Sequence, residues 1–130
     1  MSDLYEIESG KIASEKGQSD AVKAFGRQMV EAHSKTREKL NAFVEEEKLD
    51  LVLPDRLGKK YRRMVEALNT AKSEDFDRIY SEQQVEVYAD AARLFDAYAE
   101  RGDNATLKQF AANVLPTLNQ RREKAETLRQ

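Results

Sequence analysis

The sequence predicts an all-α protein: one four-helix bundle domain over residues 1–130, with a short crossover helix between the second and third long helices. Three observations predict it. Apolar residues recur at helical spacing along four long stretches. Gly and Pro number only 5 and 2, while hydrophobic residues make up 40% and charged residues 35% of the chain, the balance of long helices that each bury one stripe. Apart from the short run Leu51-Val52-Leu53, no stretch alternates as a strand would.

The first helix is expected over residues 3–16, with Asp3 as its N-cap and Gly17 as its stop. Its stripe reads Leu4, Tyr5, Glu8 and Ile12. The second is expected over 20–48, capped by Ser19, with the stripe Val22, Phe25, Met29, His33, Thr36, Leu40 and Phe43. Residues 49–55 form a connection that reads as a crossover along the bundle, because antiparallel neighbours need only ~2–8 linking residues. A shorter helix follows, carrying Leu57, Tyr61, Met64, Val65 and Leu68.

The third long helix is expected from Ser73 to a stop at Gly102. Its stripe is Phe76, Tyr80, Val87, Ala91, Leu94, Phe95 and Tyr98, with Gln84 and Tyr88 on its flank. The fourth starts at Asn104 and runs to the C-terminus, turning Leu107, Phe110, Ala111, Val114, Leu118, Arg121, Ala125 and Leu128 one way. Pro116 lies inside it and predicts a kink, since it removes one backbone donor and crowds the preceding turn.

Composition narrows the function classes. A chain of 130 residues suits one domain and buries about two-thirds of its unfolded surface. Its net charge is -2, from 22 basic and 24 acidic residues, which is not the basic footprint of a nucleic-acid binder. With no cysteine, disulfides, thiolate nucleophiles and Cys-ligated metals are excluded. No run approaches the ~20 apolar residues of a membrane span. The first residues lack the basic and apolar regions of a signal peptide. A cytoplasmic compartment therefore stays open beside a periplasmic one.

Four polar residues fall on or beside the apolar stripes: Glu8, His33, Tyr88 and Arg121. One polar group per helix suggests a polar layer across the core, the way bundles build metal and cofactor sites. Each also has a plain structural reading: a hydrogen-bonded boundary histidine, a carboxylate reaching solvent, an arginine that snorkels and an amphipathic tyrosine that packs. A dinuclear carboxylate centre needs two Glu-x-x-His pairs. The chain has one His, and the residue three before it is Val30, so those pairs cannot be built. A mononuclear metal site of Glu8, His33 and Tyr88 remains open, but a guanidinium in the same layer would repel the ion. The preferred expectation is a metal-free core polar layer in which Glu8 pairs with Arg121.

Other chemistry finds no foothold. The glycines are scattered, not grouped into a phosphate loop. The run Lys59-Lys60-Tyr61-Arg62-Arg63, the run Glu45-Glu46-Glu47 and the charged tail from Arg121 read as solvated helix faces.

Several stretches carry a family resemblance. They are residues 6–13 (Glu6-Ile7-Glu8-Ser9-Gly10-Lys11-Ile12-Ala13), Val22-Lys23-Ala24-Phe25 leading to Met29-Val30-Glu31-Ala32-His33, Phe76-Asp77-Arg78-Ile79-Tyr80 with Gln84-Val85, and Leu107-Lys108-Gln109-Phe110-Ala111 with Leu115-Pro116-Thr117-Leu118. At these residues, and over nearly its whole length, the chain resembles the ferritin-like bacterial domain-of-unknown-function family numbered four-one-four-two. It is also similar to the stress-induced ferritin-like group of small bacterial proteins; the proline motif favours the first. The resemblance implies a ferritin-like bundle, often exported across the inner membrane, with no established activity. Similar members carry two further histidines, at positions that here read Tyr88 and Arg121. Only His33 is retained, which implies a degenerate metal site.

The expectation is then a non-enzymatic helical bundle of bacterial stress or envelope setting, with no cofactor and with a protein partner or second copy on its outer surface. The alternative is a mononuclear metal or cofactor binder built on Glu8, His33 and Tyr88.

Overall fold

The computed structural model describes residues 2–48 and 56–128. Among them the chain is all-α, with five helices and no strand: α1 (Ser2–Lys16), α2 (Asp20–Glu46), α3 (Lys59–Thr70), α4 (Ser73–Arg101) and α5 (Ala105–Thr127). The connection read as a crossover, 49–55, lies outside the described residues. The chain divides into two compact units, 1–80 and 81–130, and residues 73–80 of α4 belong to the first.

In the first unit α1 packs along α2 and, less extensively, on α3. Small residues make that approach close. A Cβ built on Gly10 would lie 2.6 Å from the Gly26 carbonyl oxygen, so the two backbones meet with nothing between them. The turn joining the helices is pinned from both sides. Ser19 caps α2 through its side chain, which accepts from the Val22 amide at 3.1 Å. The Asp77 carboxylate at the start of α4 accepts from the backbone amides of Gln18 and Ser19, each at 2.9 Å. On the other side, Lys16 Nζ donates to the Asn69 carbonyl at the end of α3 at 2.8 Å.

The core of this unit is aromatic. Phe25 meets Tyr80 edge-on at 6.1 Å between ring centroids, and Phe76 stacks with Tyr80 at 6.2 Å, arrangements that aromatic quadrupoles favour. Tyr5 lies against Tyr61 at 5.5 Å. Ala13, Val22, Met29 and Leu68 complete the buried apolar set.

Asp3 does not cap α1, because the helix already includes Ser2; its side chain turns instead to α2. Leu57 precedes α3 and takes no part in it. The helix stops hold: α1 ends at Lys16 before Gly17, and α4 at Arg101 before Gly102. α2 ends differently, without glycine, on Lys48 at φ 53°, a left-handed conformation that costs a residue bearing a Cβ.

The second unit comprises the rest of α4 and α5. Asn104 caps α5 by accepting from the Leu107 amide at 3.0 Å. Pro116 does not end the helix, which runs through it to Thr127. Two stripe assignments are corrected here. Leu94 and Phe110, expected in the core, are 67% and 45% exposed. Gln84, expected on the flank, is buried, and so is Tyr88, read on the flank but also as a member of the core polar layer. The buried line of this stretch of α4 runs through Ser81, Gln84, Val87 and Tyr88, the i, i+3, i+6, i+7 spacing of a helix face. A face made partly of polar residues does not stand out by hydrophobicity.

Candidate functional site

Asp3 and Glu6 stand three residues apart, and so share one face of α1, one turn from each other. That face meets α2 at His33. Asp3 Oδ1 lies 2.6 Å from His33 Nδ1, and Glu6 Oε2 lies 3.7 Å from Nε2. A carboxylate oxygen accepts, so Nδ1–H donates to Asp3, and Nε2 is the nitrogen turned to Glu6. The first contact is a hydrogen bond; the second is too long for one. Burial is nearly complete: Glu6 is fully buried, His33 is 5% exposed, and only Asp3 reaches partly to the surface.

Tyr80 lies on the part of α4 that belongs to the same unit, packed against Phe25 and Phe76. It is fully buried, and that burial pushes its phenol far above the ordinary tyrosine range, with the Glu6 carboxylate and then Tyr5 adding to the effect. The phenol oxygen has no hydrogen-bond partner among the described residues, and neither has the buried Ser9 Oγ, one turn after Glu6 on α1. A buried hydroxyl without a partner is uncommon and calls for a reason.

The expected polar layer is therefore corrected in its membership. His33 is buried as expected, but Glu8 is exposed. The carboxylate turned inward is Glu6, two residues or ~200° around the helix from Glu8. A buried pair between Glu8 and Arg121 thus loses its carboxylate. Tyr88 is buried and Arg121 half-buried, both in the second unit. Asp3, Glu6 and Tyr80 were missed. A signal was available in Asp3, Glu6 and Ser9, polar residues spaced i, i+3, i+6 along one helix.

The chemistry open to this group is limited. Among the described residues no three His, Cys, Asp or Glu side chains converge to hold a metal ion. Asp3 accepts from one of the two imidazole nitrogens. Compared with known proteins, residues 1–128 match the family model described as a domain of unknown function, DUF4142. No curated protein and no solved structure matches the chain.

Proposed function

We propose a non-enzymatic role for this chain, which belongs to the DUF4142 family: a ferritin-like four-helix bundle whose metal site is degenerate. The observation that carries this reading is the environment of His33, the single histidine of the sequence. Its two ring nitrogens face two different carboxylates. A carboxylate-bridged pair of ions needs at least two imidazoles, each paired with its own glutamate. With one imidazole the chain cannot supply that set.

The resemblance to exported bacterial proteins supports an envelope or stress setting, which cell fractionation checks. Leu94 and Phe110 support a protein contact, because both are large apolar side chains held at the surface; the mass in solution tells a second copy from none.

The deciding experiment is ferrous-iron oxidation in air, with the protein purified without a His-tag. The expected result is no catalytic turnover and never two ions per chain. Multiple turnovers, or two ions bound per chain, would overturn the reading.

A further inference from the structure

We propose that the start of α3 is a docking surface for an anionic lipid bilayer, which it meets through Arg56, Lys59, Lys60, Arg62 and Arg63 without inserting. The proposal goes beyond the degenerate-site reading and does not depend on it.

The concentration of charge is the first observation. Between Asp55 and Glu66 the chain carries five cations and no anion. All five are exposed, and Arg56, Lys59, Arg62 and Arg63 make no ion pair among the described residues. On the helix, Lys59, Lys60, Arg62 and Arg63 spread over about 160° of one side. The opposite side carries Tyr61, Met64, Val65 and Leu68, and it is the side turned to α1. Leu68 is fully buried, and Tyr61 lies 5.5 Å from Tyr5. Packing on α1 therefore fixes the cationic side outward.

The helix start is the second observation. A helix N-terminus carries a partial positive charge and favours acidic residues in its first turn. α3 has none there, and its N-cap, Gly58, offers no side-chain acceptor. Cations stand in the first turn instead, so the helix charge and the side-chain charges add. That repulsion works against the helix, and an anionic surface relieves it.

The chemistry selects lipid headgroups over other polyanions. Of the 22 basic residues five lie in this run, which leaves 17 against all 24 acidic ones. The positive field is thus confined to one helix start, with no basic stripe to follow a nucleic-acid backbone. Tyr61, the one aromatic of the run, is engaged with Tyr5 and does not offer its face to a base. Four to eight clustered cations on an amphipathic helix are the pattern that binds anionic lipid. Long, flexible cations on a convex helix surface suit mobile headgroups that gather beneath them, more than the fixed charge pattern of an acidic protein. Since the apolar side is occupied by α1, the contact is electrostatic and acts within a Debye length, ~10 Å at 0.1 M salt.

The test is co-sedimentation of the full chain with vesicles of equimolar phosphatidylglycerol and phosphatidylcholine, against vesicles of phosphatidylcholine alone. The expected result is binding to the anionic vesicles only, lost as salt approaches about 1 M, where the Debye length falls to ~3 Å. The double variant Arg62→Gln with Arg63→Gln should bind roughly 25-fold more weakly, about fivefold for each cation removed. Its helical circular dichroism should be unchanged, because both side chains are exposed. The double variant Arg27→Gln with Lys39→Gln makes the same change in net charge at exposed positions of α2 and should bind as the parent does. No binding to anionic vesicles, equal binding to neutral ones, or an equal loss in the two double variants would overturn the docking surface. Duplex DNA or polyglutamate retained by the parent while the vesicles are not would overturn the lipid assignment in favour of that polyanion.

Discussion

Gly10 and Gly26 face each other across the contact between α1 and α2 so closely that a Cβ on Gly26 would come within 2.7 Å of the Gly10 carbonyl oxygen. The clash is with backbone, which cannot step aside as a flexible side chain would. Gly26→Ala is therefore expected to destabilise the protein by about 1–3 kcal/mol, the cost of overpacking. That outweighs the ~1 kcal/mol that alanine gains over glycine in a helix interior. Urea denaturation checks the sign: a variant more stable than the parent would show that the two helices do not meet here.

Asp77 reaches from the start of α4 to two backbone amides in the α1–α2 turn. Asp77→Ala removes both hydrogen bonds to a charged group. The turn is exposed, so water can take over the freed amides, which keeps the expected loss to roughly 1–2 kcal/mol. Amide hydrogen exchange at Gln18 and Ser19 should quicken in step.

Tyr80 sets a limit at high pH. Below about pH 10 the folded and unfolded chains both keep its proton, and it contributes no pH dependence. Above that, the unfolded chain releases the proton while the buried phenol of the folded chain holds it. Unfolding then releases a proton, so stability falls as pH rises, by up to about 1.4 kcal/mol per pH unit from this group. Tyr80→Phe should remove that part of the slope. At neutral pH it should be neutral, or stabilising by up to about 1 kcal/mol, because the lost hydroxyl has no hydrogen-bond partner among the described residues. Chemical denaturation of both proteins across the alkaline range measures the two effects together.

His33 stands between Asp3 and Glu6, and its removal breaks the hydrogen bond to Asp3 and opens a void beside a fully buried carboxylate. His33→Ala is expected to cost about 1–3 kcal/mol, the range for removing one partner of a part-buried hydrogen bond. Adding Glu6→Gln should recover part of the loss, since an amide tolerates burial better than a charge. A double-mutant cycle reads the coupling; strictly additive losses would mean that the two side chains do not interact.

The positions of the helices were legible in the sequence. The Ser19 cap, the stops before Gly17 and Gly102, and the α2 stripe of Val22, Phe25, Met29 and His33 all follow from spacing and capping, which depend on residues within one or two turns. Helix existence is a local matter, because each backbone hydrogen bond closes over four residues. The turn of α1 was not legible. Its buried positions are Tyr5, Glu6, Ser9, Gly10 and Ala13, a face mostly of small and polar residues. Leu4, Ile7 and Ile12 are only half-buried, so counting apolar residues points to the wrong side and selects Glu8 over Glu6. Close approach to Gly26 and pairing with His33 orient this helix, and both partners lie on α2. The sequence alone therefore determined where the chain coils. Tertiary structure decided which carboxylate turns inward, since that choice is made by contacts between residues far apart along the chain.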